Sequence, residues 1–209
     1  YREENAASEP EWFNAPVPSF GNENAELLIV GLAPGRTGAN KTGRPFTGDW
    51  AGDLLYATIE TFGLSEGRYE ARPDDGLALK NVMITNAVRC APPQNKPTGP
   101  EINACRPFLV SRINAMPNLR ALITLGKISH DSTIRALGLK PSHYPFGHSV
   151  HYELTETDIG RPLHIFSSYH CSRYNTNTGR LTTALFHDVF RKACKEISSQ
   201  RSDQNHGRF

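Results

Sequence analysis

The sequence predicts an α/β protein whose mostly parallel sheet is covered by helices on both faces. Three observations predict it. Short apolar runs the length of buried strands recur along the chain in ELLIVGLAP, NVMITNAVRC, LRALITLG and PLHIFSSYH. Segments with helical spacing alternate with them, the pattern of strand–helix–strand units. Three of the runs feed polar, unusual loops, and in such folds ligands bind beyond the carboxyl ends of the strands.

The elements are, in order along the chain, these. ELLIVGLAP is a buried strand feeding a glycine-rich loop that runs to about Gly48. DWAGDLLYATIETFG is a helix, with Asp49 as its cap, Leu54, Leu55, Thr58 and Ile59 at helical spacing, and a stop at Gly63. YEARPDDGLALK is a turn-rich connector, and NVMITNAVRC is a second strand. The proline-rich APPQNKPTGP is a non-helical loop. Thr98, with Glu101 three residues on, forms a capping box for the next helix. LRALITLG is a third strand, and Gly126 opens the helix KISHDSTIRALG. HSVHYEL alternates like a strand at or near an edge, and PLHIFSSYH is a further strand. A loop and a long amphipathic helix come next, to about Ser198, and residues 199–209 are expected to be a disordered tail. Residues 1–198 are expected to form one domain, since 209 residues suffice for one sizeable core.

Composition narrows the classes. The chain is 38% apolar and 21% charged, ordinary for a globular protein. No apolar run approaches the ~18 residues of a membrane span. The opening YREENAASEPEWFNAP is polar and acidic, unlike a secretory signal, so no disulfide framework is expected of the four cysteines. They are buried hydrophobes or metal ligands. A net charge of +2 neither demands nor excludes nucleic acid. Its distribution says more. Arg36, Lys41 and Arg44 sit in the glycine loop, and Arg173 and Arg180 sit in the loop of SSYHCSRYNTNTGRLT, a basic rim on two loops.

The glycine loop contains GRTGANKT, one residue from the phosphate-binding pattern GxxxxGK[ST], with Asn40 in place of the second glycine. That motif needs a helix starting at its GK[ST]. Here Gly43 and Pro45 come at once and oppose one, so a nucleotide-phosphate enzyme is the weakest reading. Phe46, behind Pro45, is either a stacking platform for a planar base or a core side chain at the foot of the loop. Asn86 closes a strand and either reads the edge of a base or caps a turn. His170 also closes a strand and either hydrogen-bonds charge on a leaving group or is a satisfied core histidine. Arg173, Asn175 and Arg180 have the chemistry to hold phosphates.

Together the segments GLAPG…NKTGRPFTGD, TNAVRCAPPQNKPTGPEINACRPFL and YHCSRYNTNTGRLT closely resemble the family 5 uracil-DNA glycosylases of bacteria and archaea, from about Trp12 to Phe190. The resemblance implies a three-layer α/β/α sandwich around a mostly parallel four-stranded sheet. It implies excision of deaminated bases from DNA, uracil first and also hypoxanthine and xanthine, by a monomeric cytoplasmic, nucleoid-associated protein. By resemblance, the segment from Gly31 through Ala33 to Asn40 positions the water, Phe46 stacks on the flipped base, Asn86 reads its edge, and His170 is the catalytic histidine. Lys41, Arg44, Arg173, Asn175 and Arg180 are then expected on DNA. The match departs from the family's pattern in two places. Asn40 stands where the family often has Asp, which leaves no ionisable group at the water-positioning residues Ala33 and Asn40. Cys171 replaces a proline after the histidine.

The family carries a [4Fe–4S] cluster on four cysteines. Two match Cys90 and Cys105, and the upstream pair is absent from this sequence. The chain opens on Tyr1, and YREENA resembles the residues just after that pair in the family, so a start just beyond the pair is expected. Cys171 and Cys194 are expected to be non-ligands. The competing function class is a damaged-DNA-binding protein with the same pocket and no catalysis.

Overall fold

The computed structural model describes residues 1–206, with side chains to Arg201. The element order is α1 (Arg2–Ser8), β1 (Phe20–Gly21), β2 (Leu27–Gly31), α2 (Ala39–Thr42), α3 (Trp50–Thr61), β3 (Ser65–Glu66), β4 (Ala78–Leu79), β5 (Val82–Asn86), α4 (Gly99–Asn114), β6 (Ala121–Leu125), α5 (Lys127–Ala136), β7 (His151–Leu154), β8 (Leu163–Ser168), α6 (Arg173–Asn177) and α7 (Thr183–His206).

The four long apolar runs become four adjacent parallel strands, β5-β2-β6-β8. All four are buried throughout, as strands covered on both faces must be. Their side chains alternate between two cores. Leu27, Ile29, Ile84 and Ile123 meet α3 and α7 through Leu55, Ile59, Phe186 and Phe190. Leu28, Val30, Met83 and Leu122 meet α4 and α5 through Leu109, Ile113 and Ile134. This is an α/β sandwich of three layers. Burying each such side chain stabilises the fold by roughly 1.5–3 kcal/mol.

The sheet has six strands where four were expected. Antiparallel β1 and β7 extend its two edges. The β7 strand is the expected edge strand, whereas β1 has two residues, too few for a periodic signal. The connector after α3 also hides a two-strand ribbon, β3 and β4. Within the loop expected to be non-helical, Pro93–Asn95 form a 3-10 turn in which Gln94 and Asn95 take φ of 53° and 56°. The capping signals read from the sequence are both present. The Asp49 carboxylate accepts from the Gly52 N–H at 3.1 Å, and Thr98 and Glu101 make the reciprocal box.

The helix α7 buries Phe186, Val189, Phe190, Ala193 and Ile197 on one stripe. It continues past Ser198 into the stretch expected as a tail, where Arg201 pairs with Glu26 at the foot of β2. Residues 207–209 of that stretch lie outside the described residues. No helix among the described residues is long and apolar enough to cross a membrane.

Candidate active site

The carboxyl ends of β2, β5 and β8 open onto a pocket of about 440 Å³, within the ~300–1,000 Å³ usual for small-ligand sites. Pairing puts Gly31 directly beside Asn86 at the ends of β2 and β5. The chain after β8 brings His170 to the same place.

Phe46 is 5% exposed and belongs to the core beneath, as one of its two expectations had it, and it also lines the pocket. Its backbone has φ 55°, a conformation a bulky residue adopts only when its surroundings enforce it. The surroundings here do. The Tyr56 hydroxyl donates to the Pro45 carbonyl at 2.7 Å, and the Tyr69 hydroxyl donates to the Phe46 carbonyl at 3.2 Å. That carbonyl also fills the space a Cβ on Gly52 would need. A Cβ on Gly31 would sit 2.5 Å from the Phe46 ring and overlap Asn86 Oδ1, so only glycine lets the ring and the amide close against the strand.

Two polar atoms of this wall are buried without a partner, Asn86 Oδ1 and His170 Nδ1. Such orphans cost roughly 1–3 kcal/mol each, and native structures hold few of them. Desolvation pushes the His170 imidazole down to about 4, so at neutral pH it is an uncharged hydrogen-bonding ring. It lies 5.9 Å from the Phe46 ring, centroid to centroid, at 27°. Its backbone is held by Asn175, whose amide donates to the His170 carbonyl at 2.8 Å. Ser172, where the short helix α6 begins, caps Asn175.

The opposite wall is the glycine loop. Ala33 lines it, and Asn40 does not. The Asn40 amide is 2% exposed and donates to Asn14 Oδ1 at 3.0 Å, so it ties the loop to the N-terminal segment rather than facing a water. The residue that sequence reasoning missed is Asp49. It lines the pocket, the sole carboxylate among the described lining residues. One oxygen caps α3, and the other lies against Gly35 and Gly38, where a Cβ would come within 3.1 and 2.5 Å of it. Burial raises its pKa, with the Gly52 and Ala51 N–H groups acting against that rise. Its sequence signal was fully spent on capping, which hid the second oxygen.

The expected DNA contacts divide. Lys41, Arg173 and Arg180 are exposed, lying over Trp12, Trp50 and Tyr169 at 5.8, 5.5 and 4.3 Å. Arg44 and Asn175 correct the expectation, because both point inward. Arg44 makes two 2.7 Å hydrogen bonds to Asp75 inside a cage of Phe20, Tyr56 and Tyr69. Their side chains are 6% and 0% exposed. The near-phosphate motif yields only the four-residue α2, stopped at Gly43 with φ 76°. That is too short for a helix-terminus anion site.

Cys90 and Cys105 are free and half-buried. The Arg89 guanidinium lies 5.7 Å over the Phe108 ring, which brings the segment of Cys90 against α4 one turn from Cys105. The thiols suit a cluster in kind and fall short in number. Among the described residues no group of three or more ligand-type side chains comes together to hold a metal. Cys171 is fully buried, its thiol pushed up by desolvation, and Cys194 packs on the core.

A parallel sheet with an aromatic-floored pocket, an orphaned amide and a neutral histidine at its strand ends defines a class, and the model of the Uracil DNA glycosylase superfamily matches residues 18–194. The type-5 uracil-DNA glycosylase of Thermus thermophilus is 45% identical over 185 residues, covering 88% of this chain and 81% of the relative. That of Mycobacterium bovis is 40% identical over 191 residues, covering 90% and 69%, and that of Pyrobaculum aerophilum is 36% identical over 185, covering 88% and 78%. The chain belongs to the type-5 uracil-DNA glycosylase family of that superfamily.

Proposed function

We propose that this chain excises uracil from DNA by hydrolysing the N-glycosidic bond, leaving an abasic site for base excision repair. The single observation that carries the reading is the pair of orphaned polar atoms, Asn86 Oδ1 and His170 Nδ1, in a pocket floored by Phe46. A flipped base supplies what they lack. The ring stacks on Phe46, which offsets part of the few kcal/mol spent on unstacking. The Asn86 amide accepts from the base N–H and donates to the neighbouring carbonyl.

As the glycosidic bond breaks, its electron pair passes to the base nitrogen and the sugar becomes an oxocarbenium-like cation. The neutral His170 ring donates a hydrogen bond to the charge growing on the base. Water adds to the sugar carbon, and its proton passes to the Asp49 carboxylate and on to solvent. The described lining holds no lysine amine to form a covalent adduct, which supports plain hydrolysis.

Hypoxanthine and xanthine fall within the same reading. Each presents the N–H beside C=O edge that uracil presents, and a pocket of about 440 Å³ has room for a purine. Cys90 and Cys105 supply two thiolate ligands of a [4Fe–4S] cluster that would staple the loop after β5 to α4. The placement of Arg89 over Phe108 supports this. Iron and acid-labile sulfide that fall in Cys90→Ser and Cys105→Ser would sustain the assignment, and equal contents in all three proteins would remove it. The chain acts as a monomer.

The test of the function is incubation with a duplex carrying one labelled uracil, then treatment with hot alkali. Strand cleavage at the uracil is expected. Intact strands from uracil, hypoxanthine and xanthine substrates alike, with folded protein, would overturn the reading and leave damage binding without catalysis.

A further inference from the structure

The chain has two tryptophans, of which Trp50 lines the pocket and Trp12 packs against one of its lining residues. Trp50 lines it directly at the first turn of α3 and is 50% exposed. Its ring is not loose. The indole N–H donates to Thr176 Oγ1 at 3.0 Å, and the Arg173 guanidinium lies 5.5 Å over its face. Trp12 reaches the pocket through Arg36, a lining residue whose guanidinium lies 5.2 Å over the Trp12 ring, with Lys41 at 5.8 Å. Arg36 is itself fixed by a 2.8 Å hydrogen bond to Asn5.

A half-exposed ring held in place by a hydrogen bond at the pocket rim, as Trp50 is, is pre-organised for a flat partner. The catalytic reading uses neither ring. Both sit among cations, the pairing of aromatic faces with positive charge that tracks a single strand of nucleic acid. Arg173 and Lys41 are exposed, so turning from ring to phosphate would uncover a ring face as the strand arrives.

We propose that Trp50 and Trp12 are stacking platforms for the bases that neighbour the excised one, and that single-stranded uracil DNA is a substrate for that reason. The proposal rests on the base-excision reading and extends it to the flanking nucleotides. In a single strand those bases are free to turn onto the tryptophans. In a duplex they stay paired and stacked, so the platforms contribute less.

The test is a double-mutant cycle between protein and DNA. Single-turnover excision and binding are measured on a single-stranded oligonucleotide with one uracil, and on versions with a tetrahydrofuran spacer replacing the base on either side. Wild type, Trp50→Ala, Trp12→Ala and the ring-retaining Trp50→Phe are compared. Removing one stacked base is expected to weaken single-strand binding by about 5- to 100-fold. Trp50→Ala should weaken it similarly, lose sensitivity to the spacer on one side, and affect the duplex far less. Trp12→Ala should lose sensitivity on the other side. Trp50→Phe should recover most of the loss. Spacer and tryptophan effects that simply add, or equal losses on single strand and duplex, would overturn the platforms while excision itself persists. Absence of excision by wild type on every substrate would instead remove the function on which they rest.

Discussion

The two loops that wall the pocket carry the same kinds of residue and use them in opposite ways. The loop after β2 holds Arg44, and the loop after β8 holds Arg173. Arg44 is buried, bidentate on Asp75 and boxed by three aromatic rings. Arg173 is exposed, and its guanidinium lies over the face of Trp50. The charge of Arg44 is architecture, and the charge of Arg173 is available to a ligand. The asymmetry arises from the task of each loop. The first keeps Phe46 at φ 55°, which requires outside support. The second is held by local bonds, Ser172 to Asn175 and Asn175 to His170, and its arginines are left over.

The sharpest way to break this contrast is to remove the buried partner. Arg44→Ala leaves the Asp75 carboxylate, now held well below its usual range by Arg44, without a counter-charge. Breaking one side of a buried pair costs about 3–5 kcal/mol. Urea denaturation should show that loss, and Arg173→Ala should lie within about 0.5 kcal/mol of wild type, as surface substitutions do. Equal stabilities for the two variants would erase the distinction between the loops.

The next effect falls on chemistry. Removing one donor to a developing anion costs about 10²–10³ in rate, so His170→Ala should slow single-turnover excision by that factor with binding of uracil DNA largely kept. Asp49→Asn keeps the cap of α3, since asparagine caps as well as aspartate, and removes the proton acceptor. It should cost about 10²-fold. Because burial raises the Asp49 pKa, the wild-type rate should fall as pH drops through that raised value, and the variant should lose this acid limb.

Stability gives His170 a second signature. Its folded pKa is about 4 against 6.5 for the free side chain. The unfolded chain therefore binds a proton first on acidification. Stability is unaffected above about 6.5, declines as pH falls towards 4, and levels off below. The full loss is up to about 3 kcal/mol. His130, His148 and His151 are displaced the same way by burial and add to the slope. His170→Asn should make the decline shallower, and an unchanged slope would show that the ring is solvated.

The fold was legible because burial writes a long signal. Five- and six-residue apolar runs announced β2, β5, β6 and β8, and cap chemistry announced α3 and α4. The two-residue strands β1, β3 and β4 carry no period to read, and α1 is too short and polar to declare itself. The site was half legible. Gly31, Phe46, Asn86 and His170 lie at strand ends or behind a proline, where position alone raises suspicion, and they meet at one pocket. Asn40, Arg44 and Asn175 have side chains that reach either way. Which way depends on Asn14, Asp75 and the His170 carbonyl, and the first two of these are distant in sequence. Asp49 shows the reverse problem, one residue with two tasks of which the sequence displays only one.

The smallest effect tests the exposed side of the comparison. A cation that meets one phosphate releases about one counterion, so Arg173→Ala should weaken binding to DNA uniformly across sequences and make the salt dependence shallower by about one in log–log slope. Arg180→Ala, which uncovers Tyr169, should do the same. Arg44, though equally basic, has its charge neutralised by Asp75 within the fold. The milder variant Arg44→Lys keeps that charge while losing the bidentate fit, so it should lower stability and leave the salt slope where it was. A slope that changes with Arg44→Lys and not with Arg173→Ala would reverse the assignment of the two loops.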